Sequence, residues 1–307
     1  MSWDDGSAYF DRIAPGLYAW IQPHGGWMVS NAGVIAAAGD AVLVDTVATE
    51  ARNRALLAEV AQVAANGPVA VVNTHYHPDH TYGNCFVPAS ARIYAHHLAR
   101  APQLRAGTGA QAELPADYGK VTVRAADVTF EDSLTLHLDG FPVHAQHVGP
   151  AHTTNDVVVW APEQQVLFAG DVVFTEGTPF LLEGSLLGFK QTLQHLRGLE
   201  PVALVPGHGP VVRDEGVADV LLKMESYADF VLELAGRGHA EGLTPMDTAR
   251  AYRDNEFAAW PESERLVGNL HRAYVDLFDL APPFPLNVPN VMPEMVELHG
   301  GPITTCA

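Results

Sequence analysis

The densest chemistry in this sequence lies in six residues, His75-Tyr76-His77-Pro78-Asp79-His80. Imidazole nitrogens and carboxylate oxygens are borderline-to-hard donors that suit Zn²⁺ and also admit Fe and Mn. In an extended segment His75 and His77, two positions apart, project to one side. Asp79 and His80 follow one turn later, where a helix is predicted to begin. Three further donors each close an apolar stretch beside glycine: His152 in Gly149-Pro150-Ala151-His152-Thr153, Asp171 in Leu167-Phe168-Ala169-Gly170-Asp171, and His208 in Val205-Pro206-Gly207-His208-Gly209. Singly, each reads as a turn residue or a satisfied polar group. In this order, behind the first motif, they read as a metal centre displayed on strand ends.

Such donors need a rigid support. Val69-Ala70-Val71-Val72 is an apolar run of the kind buried on both faces of a sheet, and it leads straight into the histidine motif. Strands are predicted before it at 17–21, 34–37 and 41–44, with a helix over 49–63. A second succession has strands at 134–138, 142–148, 157–160 and 166–169, a helix over 189–199 and a buried strand at 202–205. Two sheets packed together with helices outside account for this order. Beyond Arg213 the apolar spacing becomes helical, with one helix through 217–234 and another over 262–280. Residues 281–307, rich in proline and without a period, are expected to form an extended tail.

The ordered set Asp45, His75-x-His77-x-Asp79-His80, His152, Asp171 and His208 resembles the five motifs of the metallo-β-lactamase superfamily, over roughly residues 10–212. The resemblance implies an α/β fold, an αββα sandwich with the site at one edge. It places a catalytic domain at 1–212 and a helical extension with a C-terminal tail, packed on the core, at 213–307. It implies two Zn²⁺ ions (Fe or Mn in their place): one held by His75, His77 and His152, the other by Asp79, His80 and His208. Asp171 would bridge them and Asp45 would orient the ligand loop. The attacking species would be a metal-bridging hydroxide, with Asp79 as the catalytic residue that orients it and carries a proton to the leaving group. An aspartate rather than a cysteine at the bridge, and no room for a large inserted domain, bring the set closest to glyoxalase II-type thioester, lactone and ester hydrolases.

A second resemblance rests on Phe10-Asp11-Arg12-Ile13-Ala14-Pro15-Gly16-Leu17-Tyr18, the loop from Gly177-Thr178-Pro179-Phe180 to Gly184-Ser185, the stretch Glu264 to Arg272, and Gly300-Gly301-Pro302. These are similar to actinobacterial aromatic-polyketide cyclases and thioesterases of this fold. That likeness implies ring closure or release of an acyl chain from a carrier protein. The alternatives are a lactonase or β-lactamase-like amidase and, outside hydrolysis, a metal-bound binding or redox protein. The intact ligand set argues against the last. Trp27, Phe174, Phe180 and Leu186 would either line an apolar substrate pocket or belong to the core. The remaining histidines, among them His96, His97, His144 and His147, read as surface or packing residues.

With 17 basic and 36 acidic residues the formal charge is −19. That field repels nucleic-acid backbones and anionic membranes, so neither is an expected partner. A small-molecule or carrier-protein-bound acyl substrate is expected instead. An acidic carrier would need a local basic patch, for which Arg92, Arg100 and Arg105 are candidates; a homo-oligomer stays open. Cys85 and Cys306 suggest no disulfide framework. The acidic opening Met1 to Gly6 carries no apolar leader, and no apolar run reaches roughly 18 residues, so a cytoplasmic protein is expected.

Overall fold

The computed structural model describes residues 8–23, 25–139 and 141–307; the opening Met1 to Gly6 lies outside them. One sheet runs in spatial order through β1 (Tyr9–Ala14), β2 (Leu17–Ile21), β3 (Ala32–Ala37), β4 (Asp40–Val44), β5 (Gly67–Val72), β6 (Arg92–His96) and β7 (Val128–Phe130). Its first four strands form an antiparallel meander, and β4 to β7 are parallel. The second sheet contains β8 (Ser133–Leu138), β9 (Phe141–His147), β10 (Val157–Ala161), β11 (Val166–Phe174), β12 (Ala203–His208) and β13 (Val212–Arg213), in the reverse spatial order. Only β11 and β12 pair in parallel there.

Strand alternation explains the layering. Val42, Val44, Ala70 and Val72 point inward and meet Val157, Val159, Val166 and Phe168 of the other sheet. Their neighbours Ala41, Leu43 and Val71 point outward and pack with Leu56 and Val60 of α1 (Glu50–Val63). On the far side Val158, Leu167 and Ala169 pack against helical residues such as Phe189, Leu193 and Tyr227. Residues with period two therefore serve two cores at once. Gly33 fits the closest approach of the sheets, because a Cβ there would collide with the Phe168 ring.

Short helices follow the first sheet's strands: α2 (Pro78–Thr81), α3 (His97–Ala106) and α4 (Ala110–Glu113). The second sheet is covered by α5 (Leu186–Gly198), α6 (Glu215–Ala240), α7 (Pro245–Ala251), α8 (Arg265–Phe278) and α9 (Val288–His299). Ser185 caps α5 by accepting from Gly188 N at 3.0 Å. The fold is thus an αββα sandwich with a C-terminal helical region. No helix among the described residues is long and apolar enough to cross a membrane.

The segment 281–307, expected to be extended, instead contains the twelve-residue α9. Its prolines do not forbid this. Pro289 lies in the first turn, where no intrahelical N–H bond is lost, and Pro293 forgoes a single bond. Asn287 caps the start, and Val291, Met295 and Leu298 form a buried stripe at helical spacing. Strands β11 and β12 also run further than expected, so that Asp171 and His208 lie within them.

Candidate metal centre

The donors named from the sequence meet at one edge, where the two sheets lie side by side. Loop 73–77 and α2, following β5, bring His75, His77, Asp79 and His80; the second sheet brings His152, Asp171 and His208. Two groups form. His75, His77, His152 and Asp171 each direct one donor atom to a common point, and Asp79, His80 and His208 do the same beside it. Asp171 sits between the groups: Oδ1 is 3.0 Å from His80 Nε2, and Oδ2 is 3.3 Å from His208 Nε2, 3.5 Å from His152 Nε2 and 3.9 Å from His75 Nε2. Asp79 Oδ2 lies 3.3 Å from His208 Nε2 and 3.8 Å from His80 Nε2. Gly207 on β12 makes this approach feasible, since a Cβ there would overlap Asp171 Oδ1.

The other nitrogen of every ring is anchored. His75 Nδ1 is 3.1 Å from Thr74 Oγ1, and His80 Nδ1 is 2.9 Å from Asp45 Oδ2. His152 Nδ1 contacts Phe180 O, and His208 Nδ1 lies 2.8 Å from Gly25 O. His77 is reversed: its Nε2 meets Glu183 Oε2 at 2.7 Å, which leaves Nδ1 facing His152 Nε2 at 2.8 Å. Such outer partners fix ring orientation and tautomer, so that the free lone pair faces inward.

Asp45, expected to orient the ligand loop, lies behind His80 with Oδ2 2.9 Å from its Nδ1. It adopts a left-handed backbone (φ 64°) directly after β4, and its carboxylate accepts from Thr74 N at 2.7 Å and Thr74 Oγ1 at 2.6 Å. A non-glycine residue held in that conformation stores strain that the surrounding bonds must outweigh. The ligand loop is pinned further by Thr46 N and Asn73 Nδ2 donating to His80 O at 3.0 and 3.1 Å, and by Ser30 Oγ donating to Asp79 O at 2.6 Å.

These residues fit a pair of divalent ions. His75 Nε2, His80 Nε2 and Asp171 Oδ1 are all buried and lack a hydrogen-bond partner. Although His80 Nε2 and Asp171 Oδ1 are 3.0 Å apart, they do not align as donor and acceptor. Orphaned polar atoms cost free energy in a dry site, whereas atoms that converge on a cation are satisfied by it. Without cations the site separates by charge. Burial holds His75 well below the usual imidazole range and His152 at about 3. Around His80 and His208 burial is outweighed by the carboxylates of Asp171, Asp79 and Asp45, which raise His80 well above that range and His208 to about 9. Burial opposes ionisation of Asp79, but His80 and His208 outweigh it and draw the carboxyl down to about 2.

The centre opens into a cavity of about 670 Å³. Trp27, Phe174 and Phe180 line it, together with Tyr76, Leu114, Leu286 and Val288. Leu186 does not: it is fully buried in the core at the start of α5, and the wall is built without it. Glu183 was not singled out from the sequence. It is the carboxylate that directly follows the apolar run Pro179-Phe180-Leu181-Leu182, and that position was the available signal. Its Oε2 also accepts from Tyr76 OH at 2.6 Å. Helix α8 holds this loop in place: Asn269 Oδ1 accepts from Leu181 N at 2.7 Å, Arg272 Nε donates to Leu182 O at 3.0 Å, and Asp276 Oδ2 accepts from Leu186 N at 2.7 Å.

Comparison with known proteins agrees with this architecture. The family model described as the metallo-beta-lactamase superfamily matches residues 25–208, more than half of the chain. The chain belongs to that superfamily, whose members are metal-dependent hydrolases. It is 27% identical over 246 residues to a linear primary-alkylsulfatase from Pseudomonas sp., covering 66% of this chain and 46% of that protein. It is 26% identical over 185 residues to an atrochrysone carboxyl ACP thioesterase from Aspergillus fumigatus, covering 60% of this chain and 52% of the thioesterase. The chain therefore spans about half the length of these relatives. The crystal structure of the DIM-1 metallo-beta-lactamase superposes with a TM-score of 0.58 at 22% identity, over 73% of this chain and 98% of that one, which is a likeness of fold.

Proposed function

We propose that this chain is a dinuclear zinc hydrolase that cleaves a thioester or related acyl substrate, carried on a cytoplasmic carrier protein, and that it can release or cyclise a polyketide-like chain. The observation that carries the reading is Asp171, shared at its two oxygens between two three-donor groups that open into one large, mainly apolar cavity. His75, His77 and His152 would hold one ion, Asp79, His80 and His208 the other, with Asp171 common to both. When bound, such ions polarise a carbonyl and bring a water's pKa towards neutrality. Asp79 lines the cavity, and its Oδ2 is placed to accept the proton that an attacking water loses and to return it to the departing sulfur. Glu183 keeps the His77 Nε2 proton and so the orientation of that ring. Trp27, Phe174 and Phe180 exclude water from the acyl group.

The thioesterase relative supports an acyl substrate. Helix α3 supports the carrier: Arg100 and Arg105 are exposed there beside Leu98 and Leu104, and Arg105, Pro102 and Gln103 reach the cavity wall. This offers an acidic partner a partly apolar landing with two exposed arginines, one of which, Arg105, lies at the cavity wall.

The test is a substrate panel. Zinc-, iron- and manganese-loaded protein is assayed on acyl N-acetylcysteamine thioesters, lactones, a β-lactam and an alkyl sulfate. Thioester cleavage should dominate, with the zinc form most active; activity confined to the β-lactam or the sulfate would defeat the reading.

A further inference from the structure

Arg265, in the first turn of α8, is a cation that the metal centre does not explain. It is 2% exposed yet lines the cavity. Nη1 donates to Thr178 O at 2.7 Å, while the buried Nε meets no acceptor. The nearest paired carboxylate, Glu262 Oε2, is 3.9 Å from Nη1, at the outer limit of an ion pair. Glu264 is turned elsewhere: Oε1 accepts from Trp27 Nε1 at 2.8 Å, and Oε2 lies 3.6 Å from His299 Nδ1. Aromatic rings take the place of acids. The guanidinium carbon is 4.5 Å from the centre of Trp27, 5.3 Å from Phe174 and 6.0 Å from Phe180. Cation–π attraction offsets part of the desolvation but leaves the hydrogen-bonding edge unfilled, and a buried charge without a full partner is costly.

Phe174 ties this cation to the reaction centre, because the same ring stacks on His208 at 5.1 Å and 3°. A molecule reaching from the ligand shell to Arg265 need span little more than one aromatic ring. Trp27 and Phe180, edge to face at 5.2 Å and 70°, give that span flat apolar walls.

We propose that Arg265 is the subsite for a carboxylate carried by the acyl part of the substrate, one ring away from the bond that is cleaved. The planar fork of a guanidinium matches a carboxylate with two parallel donors, and the surrounding rings select a flat, aromatic or conjugated frame. In a chain of charge −19, a buried and poorly neutralised arginine marks where a negative group is wanted. The inference rests on reading the cavity as the acyl-substrate site, but binding without turnover tests it separately.

The experiment titrates the zinc-loaded protein with 2-naphthoate and with 2-naphthamide, following quenching of tryptophan fluorescence. The acid should bind about tenfold more tightly than the amide. R265M should abolish that preference with zinc content and circular dichroism unchanged, and R265K should keep part of it. E262Q removes only the distant carboxylate and should raise the preference about two- to threefold, which keeps the test decisive if R265M does not fold. Equal binding of the two probes, a preference that survives in R265M, or no response in E262Q would overturn the subsite. If thioesters are not cleaved but the preference behaves as stated, the function fails and the subsite stands.

Discussion

Among the described residues the protein holds two histidine clusters, and one of them gathers its donors as a metal site would. In the first, five rings turn one nitrogen inward onto Asp79 and Asp171, and each opposite nitrogen is anchored. In the second, His96 at the end of β6 stacks on His147 at the end of β9, with ring centres 3.8 Å apart and planes 1° apart, while His97 adds a third ring at 4.4 Å. Among the described residues no carboxylate forms an ion pair with these rings; Asp132 acts on His96 and His147 through its charge alone, and burial outweighs it. Burial holds His96 down at about 4 and also lowers His147, so these two rings stack in the neutral form. The contrast teaches that an acceptor shared at the centre and an anchor at the back of each ring make a metal site. A count of imidazoles does not.

The largest expected effect comes from deleting the shared acceptor. On the proposed ligand set, Asp171→Ala should lower bound zinc from two ions per chain to one or fewer and cut hydrolysis by more than about 100-fold, since it would remove a direct ligand where an outer partner alone is worth about 10–100-fold. Elemental analysis alongside the thioester assay checks this; two retained ions with full turnover would erase the distinction between the clusters. Next come the anchors. Glu183→Gln and Asp45→Asn should each weaken zinc affinity by about 10–100-fold in a chelator competition. The same competition on His147→Gln should show no change.

Removing zinc with a chelator comes third. At free zinc about 1,000 times the dissociation constant the linkage is about 4 kcal/mol, or roughly 6 °C in Tm for a chain of 307 residues. Calorimetry with and without chelator measures it, and a shift below about 2 °C would deny that the ions bind the folded form preferentially.

The smallest effect concerns the stacked pair. A base whose folded pKa is lowered contributes stability that is intact above its unfolded value near 6.5 and is lost as pH falls towards about 4. His96→Phe should therefore flatten the fall in Tm between pH 7 and 5, by an amount on the order of 1 kcal/mol. Parallel pH curves for wild type and variant would show that the stack does not titrate in this way.

What the sequence revealed and what it hid follow one physical division. The candidate donors lie in or shortly after strands whose alternation is local, so His75 to His80, His152, Asp171 and His208 could be read in order, as could the layers they imply. Glu183 and Arg265 matter only because α8 folds back over the loop 177–185 through Asn269 and Arg272, contacts nearly ninety residues apart that no periodicity reports. For Leu186, apolar and near that loop, wall and core stayed equally open; the cap at Ser185 turns it into the core. Helix α9 was hidden by its prolines, whose cost depends on where in a helix they fall.

The donors come from both halves of the sandwich: four from the loop and helix after β5, three from the opposite sheet. A bound metal pair is then a rivet through the seam of the molecule as well as a reagent. Supply of the ion would govern how tightly the two layers stay shut. Amide hydrogens of loop 73–77 and α2, which the ions would tie to the opposite sheet, should be the first to exchange when the metal is withdrawn by a chelator.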